Sequence, residues 1–443
     1  MDSTPIISLV SDVNFGKIMR RATRNGLLWD DFLSMPLPAG MSALETWKTV
    51  AALRRFSAFR VPYEEVDGYG IWYAPTAFLS HAAAVVDNQC REASPLSQLL
   101  MSTQGNYYRT RFQVNETINC AQRDGLALGP KTALDALERE IGSKKPDMRL
   151  LRNIFTMMES LGAYRDTPFS VELIESLGHR ICQGVNFDAI PRSREDPSNP
   201  SDAPASEAHL TPFERTQLNA LCDYANGQTG DPFEHALFKA LIFRTGVCTY
   251  CPHRKLAYII SQLCFNLFSI KAGLPLLSLL PFTETVLEWE SETNTRGNHE
   301  AEFASSNLGS VAANTIDDEE KLVDFSPLLT VATWAILQSL RKLEALVAER
   351  EQSAQETVKR LRGGEGLNRR QLTVLENLCR SRPSSYTIRQ HQISQKVAYA
   401  TARADLLDLV EKGFLCQEKQ SKGFVFLPTD ALRTSEEGHP SQG

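Results

Sequence analysis

No apolar run in this chain is both long and unbroken enough to suggest a membrane span. The most apolar stretch, Leu256 to Phe282, is interrupted by Gln262, Asn266, Lys271 and Pro275 and reads as a buried helix followed by its turn. Positive charge is not in excess. The 47 Lys and Arg stand against 53 Asp and Glu, a net charge of -6, which excludes a polycation that coats nucleic acid or anionic membrane and makes any DNA contact local. Paired cysteines are missing too: nine, an odd number, are scattered along the chain and fit reduced thiols better than a disulfide scaffold. The opening MDSTPIISLVSDVNFGK lacks a basic flank followed by an apolar core, so no signal peptide is expected and a cytoplasmic location is. What is there, 443 residues of which 42% are apolar and 23% charged, describes a globular protein of two or three domains.

The pattern along the chain is mainly α-helical. Ser42-Ala43-Leu44-Glu45 is a capping box opening the helix that carries Trp47, Val50, Leu53 and Arg54. VPYEEVDGYGIWY, residues 61–73, alternates β-formers around Asp67-Gly68 and predicts a hairpin, the clearest β-structure before the C-terminus. Helices fill 96–177, resume at Pro212 and run to Pro281. Between them RSREDPSNPSDAPAS, residues 192–206, has no periodicity and is expected to be a mobile loop; a second polar stretch covers about 291–320. A long helix from Leu328 to Leu361 puts Ile336, Leu340, Leu343 and Val347 on one stripe, read as packing onto its own domain, with a homodimer seam as the alternative. Gly363-Gly364-Glu365-Gly366 then reads as a hinge, because no strand precedes it as a phosphate loop requires.

After the hinge, Leu372, Leu375, Leu378 and Cys379 mark one helix, Tyr386-Thr387-Ile388 begins a second, and Ala398 begins a third. The third buries Ala402, Leu406, Leu409 and Val410 and stops at Lys412-Gly413. FLCQE and GFVFL follow as a hairpin with a basic tip, Lys419-Gln420-Ser421-Lys422. Three helices and a basic hairpin are the winged helix-turn-helix pattern, whose third helix enters a major groove while the wing reaches phosphate. Eleven Lys and Arg face six Asp and Glu between Leu367 and Arg433, about +5, a local asymmetry that suits DNA. Arg389, Lys396, Arg403, Lys419 and Lys422 are expected on phosphates, and Ala400, Thr401 and Ala404 toward bases, a face with few groups able to hydrogen-bond base edges. A protein-docking or purely structural module is the alternative.

Leu221-Cys222-Asp223-Tyr224-Ala225-Asn226-Gly227, Lys271-Ala272-Gly273-Leu274-Pro275 and the run from Tyr399 to Gly413 together resemble the Fic family, in particular its longer members with an N-terminal extension and a C-terminal winged helix. The resemblance begins around Trp29-Asp30-Asp31-Phe32 and is gap-free from Leu221 to Pro275 outside the motif loop. It implies an N-terminal extension at 1–95, a Fic-type helical core at 96–325, a linking helix at 326–362, the winged helix at 366–433 and a disordered tail at 434–443.

Family members transfer AMP to a hydroxyl through a loop of the form His-Pro-Phe-x-(Asp/Glu)-Gly-Asn-Gly-(Arg/Lys). The His is the base, the acid holds Mg²⁺, the Gly-Asn-Gly turn bares amides for phosphate at a helix N-terminus, and the last cation offsets phosphate charge. The corresponding residues here are Cys251-Pro252-His253-Arg254-Lys255-Leu256-Ala257-Tyr258-Ile259, in which only the proline survives. Cys251 replaces the base, Lys255 reverses the metal-binding acid, Leu256 and Tyr258 bring Cβ atoms into the amide nest, and Ile259 removes the cation. Loss of a base alone costs about 10²- to 10⁴-fold. Where the family carries an inhibitory helix ending in Glu-(Gly/Asn), Cys120-Ala121-Gln122-Arg123-Asp124-Gly125 stands, and with Ile259 opposite, Asp124 is expected to have nothing to restrain. The target-clamping β-hairpin flap is replaced by the proline-rich segment before Pro212.

Cys248-Thr249-Tyr250-Cys251-Pro252-His253 also invites redox or zinc readings, with Cys264 as a fourth zinc ligand. Helix rather than strand precedes it and no second paired motif exists, so incidental loop thiols are preferred and no metal is expected. His235 and the other histidines lack partners at ligand spacing. The expectation is a Fic-like pseudoenzyme without cofactor, a cytoplasmic bacterial DNA-binding regulator or adaptor. An AMP-transferring enzyme rebuilt around Cys251 and His253, using ATP and Mg²⁺, is the alternative, and a body that holds a protein partner in its emptied cleft is a third reading.

Overall fold

The computed structural model describes residues 9, 11–27, 29–64, 68, 70–102, 105–126, 145–186, 190, 210–295, 315–317, 322–362, 366–381, 386–420 and 423–429. The expected loop at 192–206, residues 363–365 of the hinge, Asp67, Lys422, the tail at 434–443 and most of the polar stretch 291–320 lie outside them. In chain order the first elements are α1 (Val13–Asn25), α2 (Trp29–Leu33), α3 (Ala43–Arg55), β1 (Phe59–Glu64), β2 (Gly70–Tyr73), α4 (Ala77–Cys90), α5 (Pro95–Met101) and α6 (Asn106–Arg123). Then come α7 (Pro146–Ser160), α8 (Val171–Ile181), α9 (Pro212–Ala225), α10 (Ala236–Thr249), α11 (Ala257–Lys271) and α12 (Phe282–Thr295). The chain closes with β3 (Thr315–Asp317), β4 (Leu322–Asp324), α13 (Ser326–Arg362), α14 (Arg369–Ser381), β5 (Tyr386–Thr387), α15 (Ile388–Gln395), α16 (Tyr399–Glu411), β6 (Leu415–Gln420) and β7 (Gly423–Pro428). The fold is mainly helical, as the periodicity predicts, and comprises two units: Met1–Ser97 with Phe112–Leu340, and Gln98–Arg111 with Arg341–Gly443.

In the first unit the predicted capping box starts α3: the Ser42 hydroxyl accepts from the Glu45 amide, and the Glu45 carboxylate accepts from the Ser42 amide at 2.9 Å. A second box at Thr211 and Glu214 starts α9. Trp29, Phe32 and Trp47 pack ring to ring and hold α2 against α3. The predicted hairpin forms as antiparallel β1 and β2. It is extended by two strands that the sequence reading placed in or beside a polar stretch: β2 pairs in parallel with β4, and β4 antiparallel with β3, giving the order β1-β2-β4-β3. Three-residue strands are too short for a period-2 pattern to register, and the partner of β4 lies far upstream in the chain. A buried ion pair, Arg54 with Asp324, ties α3 to this sheet while the guanidinium also covers Trp72 at 5.4 Å. The Ser326 hydroxyl accepts from the Ala74 amide at 2.9 Å and fixes the start of α13 beside β2.

Helices α10 and α11 are buried on nearly every side, so the reading of Leu256–Phe282 as an internal helix with its turn holds. A Cβ on Gly246 would meet the Leu221 side chain at 2.5 Å, so a larger residue there would force that leucine to move where α9 meets α10. Among the described residues no helix is long and apolar enough to cross a membrane.

In the second unit Arg350 of α13 covers the Tyr108 ring. Of the stripe predicted on this long helix, Ile336 and Leu340 are buried in the first unit, while in the second Leu343 is buried and Val347 half-buried. The C-terminal part has the expected order of three helices and a hairpin, α14, α15, α16 and β6–β7, with one difference: Tyr386-Thr387 forms β5, paired with β7, and helix begins at Ile388. Thr387 ends the strand because its hydroxyl and the Gln390 side chain form a capping box for α15. Val374, Leu375, Leu378, Ile388, Ala402, Leu406, Leu409, Leu415 and Phe426 make its core; Leu372 and Val410 are half-buried.

Candidate functional site

The loop that the sequence singles out, 250–256, joins α10 to α11 and is held from all sides. Tyr250 is buried and its hydroxyl donates to the Glu64 carbonyl. Cys251 is buried, its thiol 3.5 Å from the His253 carbonyl, and burial pushes its pKa far above the usual thiol range. Cys248 is raised by burial as well, and it sits on α10 rather than in the loop where it was expected. Raised thiols are poor nucleophiles, and no group of three His, Cys, Asp or Glu among the described residues could hold a metal.

His253 is seated rather than poised. Its ring lies against α8 so closely that a Cβ on Gly178 would be 2.1 Å from it. Nε2 faces the Glu175 carbonyl at 3.2 Å, and the ring meets His179 edge to face. Arg254 donates to the Thr249 carbonyl at 2.6 Å and pairs with Glu214, the carboxylate of the α9 capping box. Lys255 is half-exposed and Pro252 half-buried; Leu256, Tyr258 and Ile259 are buried.

The expectation for Asp124 is corrected here. Its carboxylate accepts from the Tyr258 amide at 3.1 Å and the Ile259 amide at 2.9 Å, the free donors in the first turn of α11. The acid engages the amides of the helix end, for which an isoleucine side chain opposite is irrelevant; Cys120 and Gly125 place it there from the end of α6. The positive end of the helix is thus already occupied by a carboxylate belonging to the protein. Asp124→Ala is expected to lower stability by about 1 kcal/mol, the usual cost of a lost N-terminal cap, and Asp124→Asn by less. Thermal melts of the two variants check the order, and an unchanged melt for Asp124→Ala would contradict it.

Beneath the loop lies a polar cluster that sequence reasoning missed. Glu116 of α6, fully buried, accepts from the Thr283 hydroxyl at 2.6 Å and from the Thr283 amide, with the Cys120 thiol at 3.7 Å. Arg244 of α10 donates to Gln262 at 2.9 Å and stacks on Tyr258 and Phe282, while its Nη2 has no hydrogen-bond partner among the described residues. Burial pushes Glu116 up to about 7 against the opposing pull of Thr283 and Arg244, and Tyr258 up to about 12. His235 caps α10 by accepting from the Leu237 amide and lies 3.3 Å from Asp87.

In the C-terminal module Arg389, Lys396, Arg403 and Lys419 are exposed and carry no ion pair among the described residues; Lys422 lies outside them. Ala400 and Ala404 are exposed beside Arg403, whereas Thr401 is half-buried. Tyr399, not anticipated as a site residue, is 54% exposed at the first position of α16. Two of the basic residues counted toward the local charge are consumed internally: Arg370 pairs with Asp405 at 2.7 Å and Lys412 with Asp408 at 2.5 Å. Asp405 also accepts from Asn368 at 2.8 Å and sits 3.1 Å from Nε2 of the fully buried His391. An acid three positions from Ala402 and one before Leu406, on the buried stripe of α16, was the sequence signal for that network.

No family model and no curated protein matches the chain. Among solved structures, a Fic family protein from Desulfovibrio desulfuricans G20 is similar over 84% of this chain and 99% of its own, at 12% identity and a TM-score of 0.42.

Proposed function

We propose that the chain is a DNA-binding regulator or adaptor on a Fic-type scaffold that does not transfer AMP, with its C-terminal part acting as a winged helix-turn-helix. The observation that carries this reading is the set of four exposed cations, Arg389, Lys396, Arg403 and Lys419, on α15, the turn after it, α16 and β6, none with an ion pair among the described residues. Exposed Lys and Arg are the side chains that contact phosphate, and these four lie on successive elements of the C-terminal module. The absence of transfer is supported by the loop: a buried protonated thiol at position 251, a seated His253, and a carboxylate on the amides where a phosphate would have to lie.

Fluorescence anisotropy with DNA from around the coding region, across a salt series and against an unrelated duplex, tests the reading. Tight binding that favours the native fragment and falls steeply with salt is expected. Arg389→Ala and Lys419→Ala should each weaken binding to all sequences and lower the salt slope by about one. Equal, weak, salt-independent binding of both duplexes would overturn the DNA assignment. Calorimetry with Mg²⁺ and ATP is expected to give no saturable heat; incorporation of labelled ATP into a protein target would instead establish the transferase built around Cys251 and His253.

A further inference from the structure

In the first two turns of α16, residues 399–405, the exposed side chains long enough to reach a base edge are Tyr399 and Arg403. Tyr399 and Arg403 are four residues apart, so they stand on the same face of the helix as neighbours. Ala400 and Ala404, beside them and exposed, end at a methyl and offer no hydrogen-bonding group. Thr401 is half-buried, and the one acid of these two turns, Asp405, is turned inward onto Arg370, Asn368 and His391. Any reading of sequence by this helix therefore falls to an aromatic ring and a guanidinium side by side.

Each has a distinct preference in a major groove. The guanidinium matches guanine, whose O6 and N7 accept its two parallel donors, and the only apolar group on the groove floor is the thymine 5-methyl. A tyrosine ring that leaves half its surface in water gains by covering such a methyl. We infer that Tyr399 and Arg403 together specify a thymine adjoining a guanine, so that of the four cations Arg389, Lys396 and Lys419 hold phosphates while Arg403 reaches the base. This rests on the DNA-binding reading above, and it names the determinant that reading leaves open.

The test uses the full chain and a short duplex with alternating T and G on one strand, so that the step recurs in every register. Two relatives differ from it by single groups: deoxyuridine for thymidine removes the methyl, and 7-deazaguanine removes the N7 acceptor. Deoxyuridine is expected to weaken binding about three- to fivefold, the worth of one buried methyl. That difference should vanish in Tyr399→Ala, a surface change that leaves the module's core intact. 7-Deazaguanine should weaken binding about tenfold, and not at all in Arg403→Ala. Binding of all three duplexes with equal affinity would overturn the inference while leaving DNA binding in place. Binding of none at low salt would overturn the DNA-binding reading itself.

Discussion

Asp405→Ala is expected to unfold the C-terminal module at temperatures where the unsubstituted chain keeps it folded. The Asp405 carboxylate is the shared acceptor for Arg370, through two bonds of 2.7 and 3.0 Å, for Asn368 and for His391. His391 is fully buried and its Nδ1 has no partner among the described residues, so the substitution leaves a buried imidazole with neither nitrogen engaged by them. Removing one member of a buried pair costs about 3–5 kcal/mol, a large share of the 5–15 kcal/mol that holds a domain together. The corresponding melting transition should drop by more than about 10 °C. The same network sets an acid limit. Burial pushes the Asp405 carboxyl up, but the bonds from Arg370, Asn368 and His391 outweigh it and bring it down to about 2, below its ordinary 3.8. A lowered carboxyl stabilises above its unfolded value, so this contribution is present above about pH 4 and disappears as the pH falls toward 2. Asp405→Asn should abolish that acid dependence; a module whose stability is flat from pH 5 to about pH 2 would contradict the assignment.

Stability of the first unit is expected to fall as the pH rises, the reverse of the usual carboxylate behaviour. Glu116 titrates at about 7 in the folded chain because its burial outweighs the donors on Thr283, whereas an exposed glutamate titrates near 4.5. Between those values the folded state holds a proton that the unfolded state has released, so each unit of pH removes stability, about 3 kcal/mol in all. Above neutrality the loss is complete and the curve flattens. Glu116→Gln keeps an acceptor for Thr283 and cannot ionise; it should remove the slope and be the more stable form at pH 8. Denaturant unfolding monitored by Trp fluorescence from pH 5 to 8 measures both curves, and a wild-type stability that rises over this range would sink the prediction.

Local periodicity and local chemistry made much of this fold legible. The Ser42 box, the hairpin around Gly68, the internal helix after Leu256 and the stripe of Ala402, Leu406 and Leu409 depend on residues within a few positions of one another, and all are present. What escaped depends on partners far apart in the chain. Arg54 meets Asp324, Glu116 meets Thr283, and Asp124 meets the Tyr258 and Ile259 amides, and no spacing rule connects any of these. At the loop, substitution of the expected residues was readable, but the fate of the helix end behind them was not, because backbone amides are invisible in a sequence. In the C-terminal module the net charge was readable, but not which cations pair: Arg370 and Lys412 meet Asp405 and Asp408, acids the net count already subtracts.

The Asp124 carboxylate has a consequence for any attempt to give this loop a working phosphate site. An anion arriving from solution competes not with water for the two amides of α11 but with a group tethered in place, whose effective concentration is of the millimolar order or higher. Rebuilding the loop residue by residue would therefore leave its seat taken. The tenant comes from a different helix, and eviction requires a second change at position 124.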